Sequence, residues 1–238
     1  MAFRRRRVGD RSPPLLFSGS PSRTLEVVRL GLYASTVRVM EFQDVVLQRR
    51  MARDFSDEPV ARPILDQLMA NATRIPSAGY SQGFAFVVLT EPEQRRLFWQ
   101  TTSGPEWRGE SESVPLTRAP VVILPLAHKQ AYLDRYALPD KAHTPLSLEA
   151  HWPAPYWDID TGFGVMLILL TAVNLGLGGL FFGIFRGEQA LMDALGVPEG
   201  YRPIGAIAVG HPTPGERSRP ELPTGRRRLD DAVKWERW

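Results

Sequence analysis

The stretch DTGFGVMLILLTAVNLGLGGLFFGIF, residues 160–185, decides how the rest of the chain is read. From residue 163 to residue 185 it carries no charge. About 20 apolar residues in helical form span a bilayer, and aromatic residues flank this run at Tyr156, Trp157, Phe182 and Phe185, so a membrane anchor is one reading. Its interior favours another. Residues 163–173 have the composition of one helix, with Asp158 and Asp160 placed to cap it and complement its dipole. Asn174-Leu175-Gly176-Leu177-Gly178-Gly179 stops that helix, because glycine is common just past a helix end and costs stability inside one. Residues 180–185 then read as a short buried strand. Helix, glycine turn and strand fit the centre of a soluble domain, where an all-round apolar helix is either deep core or a subunit interface.

The chain has 238 residues, enough for one domain with an appendage, and its 43% apolar content supplies a substantial core. It contains no cysteine, which excludes disulfides, thiol nucleophiles and cysteine-bound metals. With no secretory pattern at the basic start, the expected compartment is the cytoplasm. The net charge of +3 is unevenly spread: residues 1–39 carry +6 and residues 40–238 carry −3. Residues 1–39 read as a solvated, disordered leader rich in Arg, Pro and Ser, with a nucleic-acid arm as the alternative and Met40 as a second possible start.

Outward from the central run, the pattern is mixed. Phe42, Val45 and Val46 give residues 40–50 helical spacing, and Pro63 opens a helix whose stripe is Ile64, Leu65, Leu68, Met69 and Ala72. A polar, glycine-punctuated loop at residues 76–83 leads to a strand at 84–89, and Pro92 starts a helix that runs to about Thr102. Residues 119–126 read as a second buried strand with prolines tolerated at its ends, and 129–136 as a short helix. Residues 139–156 form a long irregular segment suited to covering a site. A helix at 188–195, a last strand at 204–209, a polar loop at 212–225 and a tail from Arg226 to Trp238 complete the chain. The elements do not alternate regularly and no glycine fingerprint follows the first strand, so an α+β sheet packed by helices is expected rather than a doubly wound fold.

Few side chains form a catalytic set. His128, His143, His151 and His211 are scattered, with no two at metal-ligand spacing, and no nucleophile elbow occurs. Two arginine groups, Arg49, Arg50 and Arg53 near one end and Arg226, Arg227 and Arg228 near the other, suit phosphate if they converge. Chemistry is therefore expected from a bound cofactor.

Three pieces, in order, resemble the nitroreductase family of FMN-dependent oxidoreductases. Arg49-Arg50-Met51-Ala52-Arg53-Asp54-Phe55 is similar to the family's opening Arg-Arg-Ser-x-Arg-x-Phe signature. Residues 72–84, with Pro76, Ser77 and Gln82, are similar to its Pro-Ser-x-x-Asn-x-Gln-Pro-Trp loop. The apolar helix, the glycine turn and residues 195–212 resemble its second half. The resemblance implies an α+β fold with a mixed sheet packed by helices on both faces, and a homodimer with an apolar interface helix and two FMN sites. It places Arg49, Arg50 and Met51 along the ribityl phosphate, and Arg53 near the flavin N1–O2 edge, where a fixed cation stabilises the charge of reduction. It sets Ser77, Ala78, Gly79 and Gln82 beside the pyrimidine side, Phe181, Phe182 and Gly183 near the other face, and Arg226 and Arg228 on the phosphate.

The implied activity is ping-pong hydride transfer from NAD(P)H through flavin N5 to an electron-poor nitroaromatic, quinone or conjugated alkene. No metal, nucleic acid or membrane partner is implied. Tyr80 stands where the loop usually has Asn, Gly83-Phe84 where Pro-Trp is common, Met51 where a hydroxyl residue is usual, and Gly183 where many members place Glu. These departures bear on redox potential and donor preference. A flavin-binding module without turnover and the flavin-fragmenting, dimethylbenzimidazole-forming branch are the alternatives.

Overall fold

A computed structural model describes residues 40–104, 115–214 and 225–238. The leader expected at residues 1–39 lies outside them, as does most of the loop at 212–225. Helix α1 (Phe42–Gln48) is followed by α2 (Arg62–Ala72), which opens with Pro63 in its first turn, where a missing N–H costs nothing. Strand β1 (Phe84–Leu89), helix α3 (Pro92–Thr102), strand β2 (Val121–His128) and helix α4 (Lys129–Tyr136) come next. After two single-turn helices, at Pro139–Lys141 and Glu149–His151, the long helix α5 (Tyr156–Asn174) leads into β3 (Gly178–Phe182). Helix α6 (Glu188–Ala194), strands β4 (Tyr201–Pro203) and β5 (Ala206–Gly210) and a short exposed helix α7 (Leu229–Ala232) finish the chain.

The strands form one sheet in the order β1-β2-β5-β3, with β4 added to the far end of β2. All pairings among them are antiparallel, and the parallel element is an isolated bridge from Met51 to Gly179. Strand β2 is buried on both faces, which is why it reads as an unbroken apolar run. Val121 and Ile123 face a core shared with Leu65 and Leu68 of α2 and Val165, Ile168 and Leu169 of α5. Val122, Leu124 and Leu126 face Phe98 and Trp99 of α3 and Leu191 and Met192 of α6. The result is helix, sheet, helix, as expected for a sheet covered on both faces.

Four expectations are corrected. Pro125 lies inside β2, not at its end. It falls where the partner strand changes, Ile123 pairing with Ile207 of β5 and Leu126 with Pro203 of β4, and its carbonyl accepts from Ile204 N at 3.0 Å. Strand β4 was not foreseen, and β3 starts and ends earlier than residues 180–185. Phe185 is exposed beyond it. Helix α5 begins at Tyr156, seven residues before the expected start, with Pro155 as its cap and no capping side chain. Asp158 and Asp160 are therefore inside the helix and serve other partners.

Helix α5 passes the length and apolarity test for a membrane span, the one helix among the described residues to do so, but half of that window is buried within the domain. It packs on α2, β2 and β3 as a core helix. Gly164 lets β1 approach: a Cβ there would stand 2.7 Å from the ring of Phe86. Its other side is bare. Ile159, Phe163 and Met166 are 39%, 46% and 47% exposed and fall at spacings of four and three, a single stripe along the helix.

Candidate functional site

Past α1 the backbone becomes extended from Arg49 and lies along the beginning of β3. Ala52 N donates to the carbonyl of Gly179 at 3.1 Å, and buried Phe55 bridges to Pro212, just past β5. Ser56 N donates to the carbonyl of His211 at 2.9 Å and Thr213 N to that of Asp54 at 3.2 Å, so residues 54–56 are fastened to the segment that follows β5. Ala52 and Phe55 are buried, while Arg50 and Arg53 are exposed. Gly178 makes the contact possible, because a Cβ there would sit 2.7 Å from both Ala52 Cβ and Pro212 Cγ. Arg53 Nη1 donates to the carbonyl of Met51 at 3.0 Å, and Arg118 pairs with Asp54 at 2.5 Å.

The loop at residues 76–83 is held in an unusual shape. Gly79, Tyr80 and Gln82 have φ of 61°, 60° and 50°, a left-handed region that only glycine enters freely. Ser77 Oγ accepts from Gln82 N at 2.9 Å, Ala78 N donates to Asp160 Oδ2 at 2.8 Å, and Arg135 Nε donates to the carbonyl of Gly79 at 2.9 Å. Arg135 is in turn held by both oxygens of Asp140, whose carboxyl it keeps below the usual range. The ring of Tyr136 lies where a Cβ on Gly79 would go. The irregular segment thus meets the loop through Asp140.

A third group lines a cavity of about 430 Å³ that includes Asp158, Phe181, Gly183, Ile184, Arg202 and Gly205. Of the expected ring-facing residues, Phe181 and Gly183 line it. The side chain of Phe182 does not take part: it stacks on Trp99 at 5.7 Å and meets Phe98 edge-on at 6.1 Å, in the core on the opposite face. Arg202 pairs with Asp158 across the cavity wall. Burial pushes the Asp158 carboxyl up, and the Arg202 charge and hydrogen bond oppose that.

Arg226 and Arg228 are exposed at the start of the tail, and the described contact of Arg228 is local, to Asp230 at 3.9 Å. The structure thus joins Arg49–Arg53 to the start of β3 and the end of β5 but leaves the late arginines apart. It also separates the first two groups. Ala78 is anchored at Asp160, whereas Gly179 packs on Leu169, nine residues on, or about 14 Å along the axis of α5. Sequence reasoning missed Tyr132, Arg135 and Arg202. The first two were read only as members of the short helix at 129–136, and Arg202 lay between the elements expected at 188–195 and 204–209.

Residues 46–211 match the family model described as Nitroreductase family. The chain is 27% identical over 177 residues to FMN reductase [NAD(P)H] of Bacillus subtilis (strain 168), covering 73% of this chain and 67% of that one. Among solved structures, it is similar to a nitroreductase family protein from Clostridium difficile 630, with a TM-score of 0.62 and 19% identity over 84% of this chain and 100% of that one. A protein from Exiguobacterium sibiricum 255-15, solved in complex with FMN, gives a TM-score of 0.62 at 18% identity, covering 83% of this chain and 98% of that one. The helix-covered sheet, the ordered loop and arginine segment, and a family match that spans both of them lead to one conclusion: the chain belongs to the nitroreductase family.

Proposed function

We propose that this chain is an FMN-dependent oxidoreductase that uses NAD(P)H to reduce a flat, electron-poor acceptor, and that it works as a soluble homodimer. The observation that carries the reading is the arginine-bearing segment laid on the start of β3 and on residues 211–213 just past β5. The residues fit FMN in three respects. Exposed guanidinium groups on Arg50 and Arg53 suit a phosphate and the edge of an anionic ring. The left-handed loop at Gly79–Gln82 is fixed in shape by its own bonds, with Tyr80 N donating to the Ser77 carbonyl at 2.9 Å and Gln82 N to Ser77 Oγ at 2.9 Å. The cavity beside Gly183 and Gly205 has no Cβ at those positions to block a planar group.

In this arrangement Arg49, Arg50 and Met51 hold the phosphate, and Arg226 and Arg228, which lie apart from them in the single chain, join them only when the tail swings in. Arg53 faces the N1–O2 edge and holds its positive charge where charge develops, while Ser77, Ala78, Gly79 and Gln82 orient the pyrimidine side. Phe181 and Gly183 border the ring. FMN, when bound, supplies the two-electron chemistry; the chain positions it and sets its electrostatics.

The offset of about 14 Å along α5 between the two groups is large for one compact site. The bare stripe of Ile159, Phe163 and Met166 supplies a resolution: a second copy packed against α5 about a two-fold axis brings one chain's loop toward the other chain's arginines. Each flavin site would then be shared.

The test is an absorption spectrum of the purified full chain with FMN, before and after anaerobic addition of NADPH and then NADH. Flavin bands that bleach with either donor and return with a quinone or nitroaromatic are expected. Colourless protein that takes up no FMN on reconstitution would refute the proposal.

A further inference from the structure

Asp160 lies on the inward face of α5 and is 3% exposed. One oxygen, Oδ2, accepts two hydrogen bonds, from Ala78 N at 2.8 Å and from the Tyr132 hydroxyl at 2.8 Å. Neither donor belongs to the helix: one comes from the loop at 76–83 and the other from α4. Tyr132 is fully buried, and that burial, then its bond to Asp160, drives the phenol far above its ordinary range, so it remains a donor. A buried carboxylate is costly to keep without such partners, and losing one leaves a polar group stranded.

What this carboxylate holds is a segment that would not keep its shape alone. Gly79, Tyr80 and Gln82 are all left-handed, and two of them are not glycine. Such residues persist only where surrounding contacts over-determine them. Ala78 immediately precedes that run, so its amide is the fixed point from which the left-handed turn departs. The second fastening, Arg135 on the Gly79 carbonyl, is tied to exposed Asp140 and is the weaker of the two.

We propose that Asp160, acting through the Ala78 amide, is a positioning residue that fixes the backbone of residues 77–82 in its ligand-ready shape. This rests on the reading of that loop as part of an FMN site. With the anchor in place, FMN meets a loop already ordered. Without it, binding must first order the loop, and affinity falls by the cost of doing so.

The test uses the full chain, stripped of flavin and titrated with FMN, as wild type, Asp160→Ala, Asp160→Asn and Tyr132→Phe. Loop amide exchange is read in parallel. Asp160→Ala is expected to weaken FMN about tenfold and to speed exchange at 77–82 but not in β2. Asp160→Asn keeps an acceptor for Ala78 and recovers affinity to within about threefold of wild type. Tyr132→Phe leaves the Ala78 bond intact and loses thermal stability with FMN affinity little changed. A cooperatively folded Asp160→Ala protein with wild-type FMN affinity overturns the inference alone. Should that variant fail to fold, the double variant Asp160→Leu with Tyr132→Phe, which removes the acceptor without stranding the phenol, carries the test, because unchanged loop exchange and unchanged FMN affinity in it overturn the inference equally. Wild-type protein that binds no FMN overturns the flavin reading and this inference with it.

Discussion

Replacing Phe163 with glutamate isolates the role of the bare face of α5. The ring is 46% exposed in the single chain and sits between Ile159 and Met166 on one stripe. A phenylalanine side chain offers roughly 200 Å² of apolar surface, so about 90 Å² is available for burial by a partner. At about 25 cal/mol per Å² that is about 2 kcal/mol per chain, and a two-fold interface uses the residue twice. Loss of about 4 kcal/mol raises the dimer dissociation constant by about a thousandfold. The cost of facing two carboxylates across the axis adds to this figure. Sedimentation velocity over a range of protein concentration reads the shift directly. Since the ring is only partly covered within its own chain, the variant should keep its far-UV spectrum. If the sites are shared, FMN retention falls in parallel with the dimer. A Phe163→Glu protein that stays dimeric at the same concentrations as wild type would refute the assignment of this face.

Three further outcomes are expected. Arg53→Ala should lower the flavin midpoint potential and slow reduction by NAD(P)H on the order of a hundredfold in stopped flow, with partial recovery in Arg53→Lys, because a fixed charge is lost where negative charge develops. Gly178→Ala places a Cβ 2.7 Å from Ala52 Cβ and Pro212 Cγ, neither of which can swing aside, and should cost about 1–3 kcal/mol in denaturant unfolding together with FMN affinity; Gly176→Ala, with φ of 75° and open space, should cost about 1 kcal/mol and leave FMN binding unchanged. Asp140 is held below its usual value first by the Arg135 hydrogen bond, so the stability it contributes is present above the unfolded value of 3.8 and is lost as pH falls through the lowered folded value. Melting temperatures of wild type and Asp140→Asn should therefore differ at pH 6 and converge at the acid end.

Local signals made much of this fold legible. Strand β1 at 84–89 and helix α4 at 129–136 were read to the residue, because glycine, proline or a change of period marks both ends of each. Helix α3 was read for the same reason, from Pro92. The misses have one physical origin. Asp158 and Asp160 look like helix caps because local chemistry favours that use, but Asp158 is claimed by Arg202, 44 residues on, and Asp160 by Ala78, 82 residues back. With their charges satisfied at a distance, α5 is free to begin at Tyr156. Strand β4 is three residues long and exists because β2 offers an edge once Pro125 has passed, a condition no window of sequence contains. The same division runs through the candidate site. The arginine segment and the loop were visible as ordered motifs, whereas Arg135, which holds the loop, and Tyr132, which bonds to the carboxylate behind it, were visible only as members of a helix.

These features converge on α5. A helix that served only as core would carry apolar residues on its covered side and polar ones outside. Here the covered side includes a buried carboxylate, and the bare side is apolar; each is unfavourable for an isolated chain. Both become useful if the helix is the axis of a shared site. Asp160 fixes the loop near one end, Leu169 receives the glycine pair that seats the arginine segment further along, and the stripe between those levels is where a second copy would bring the two together. The apolar stretch that first raised the question of a membrane is then explained by a partner rather than by lipid, and its buried carboxylate, Asp160, which a span would exclude, is explained by the loop it holds.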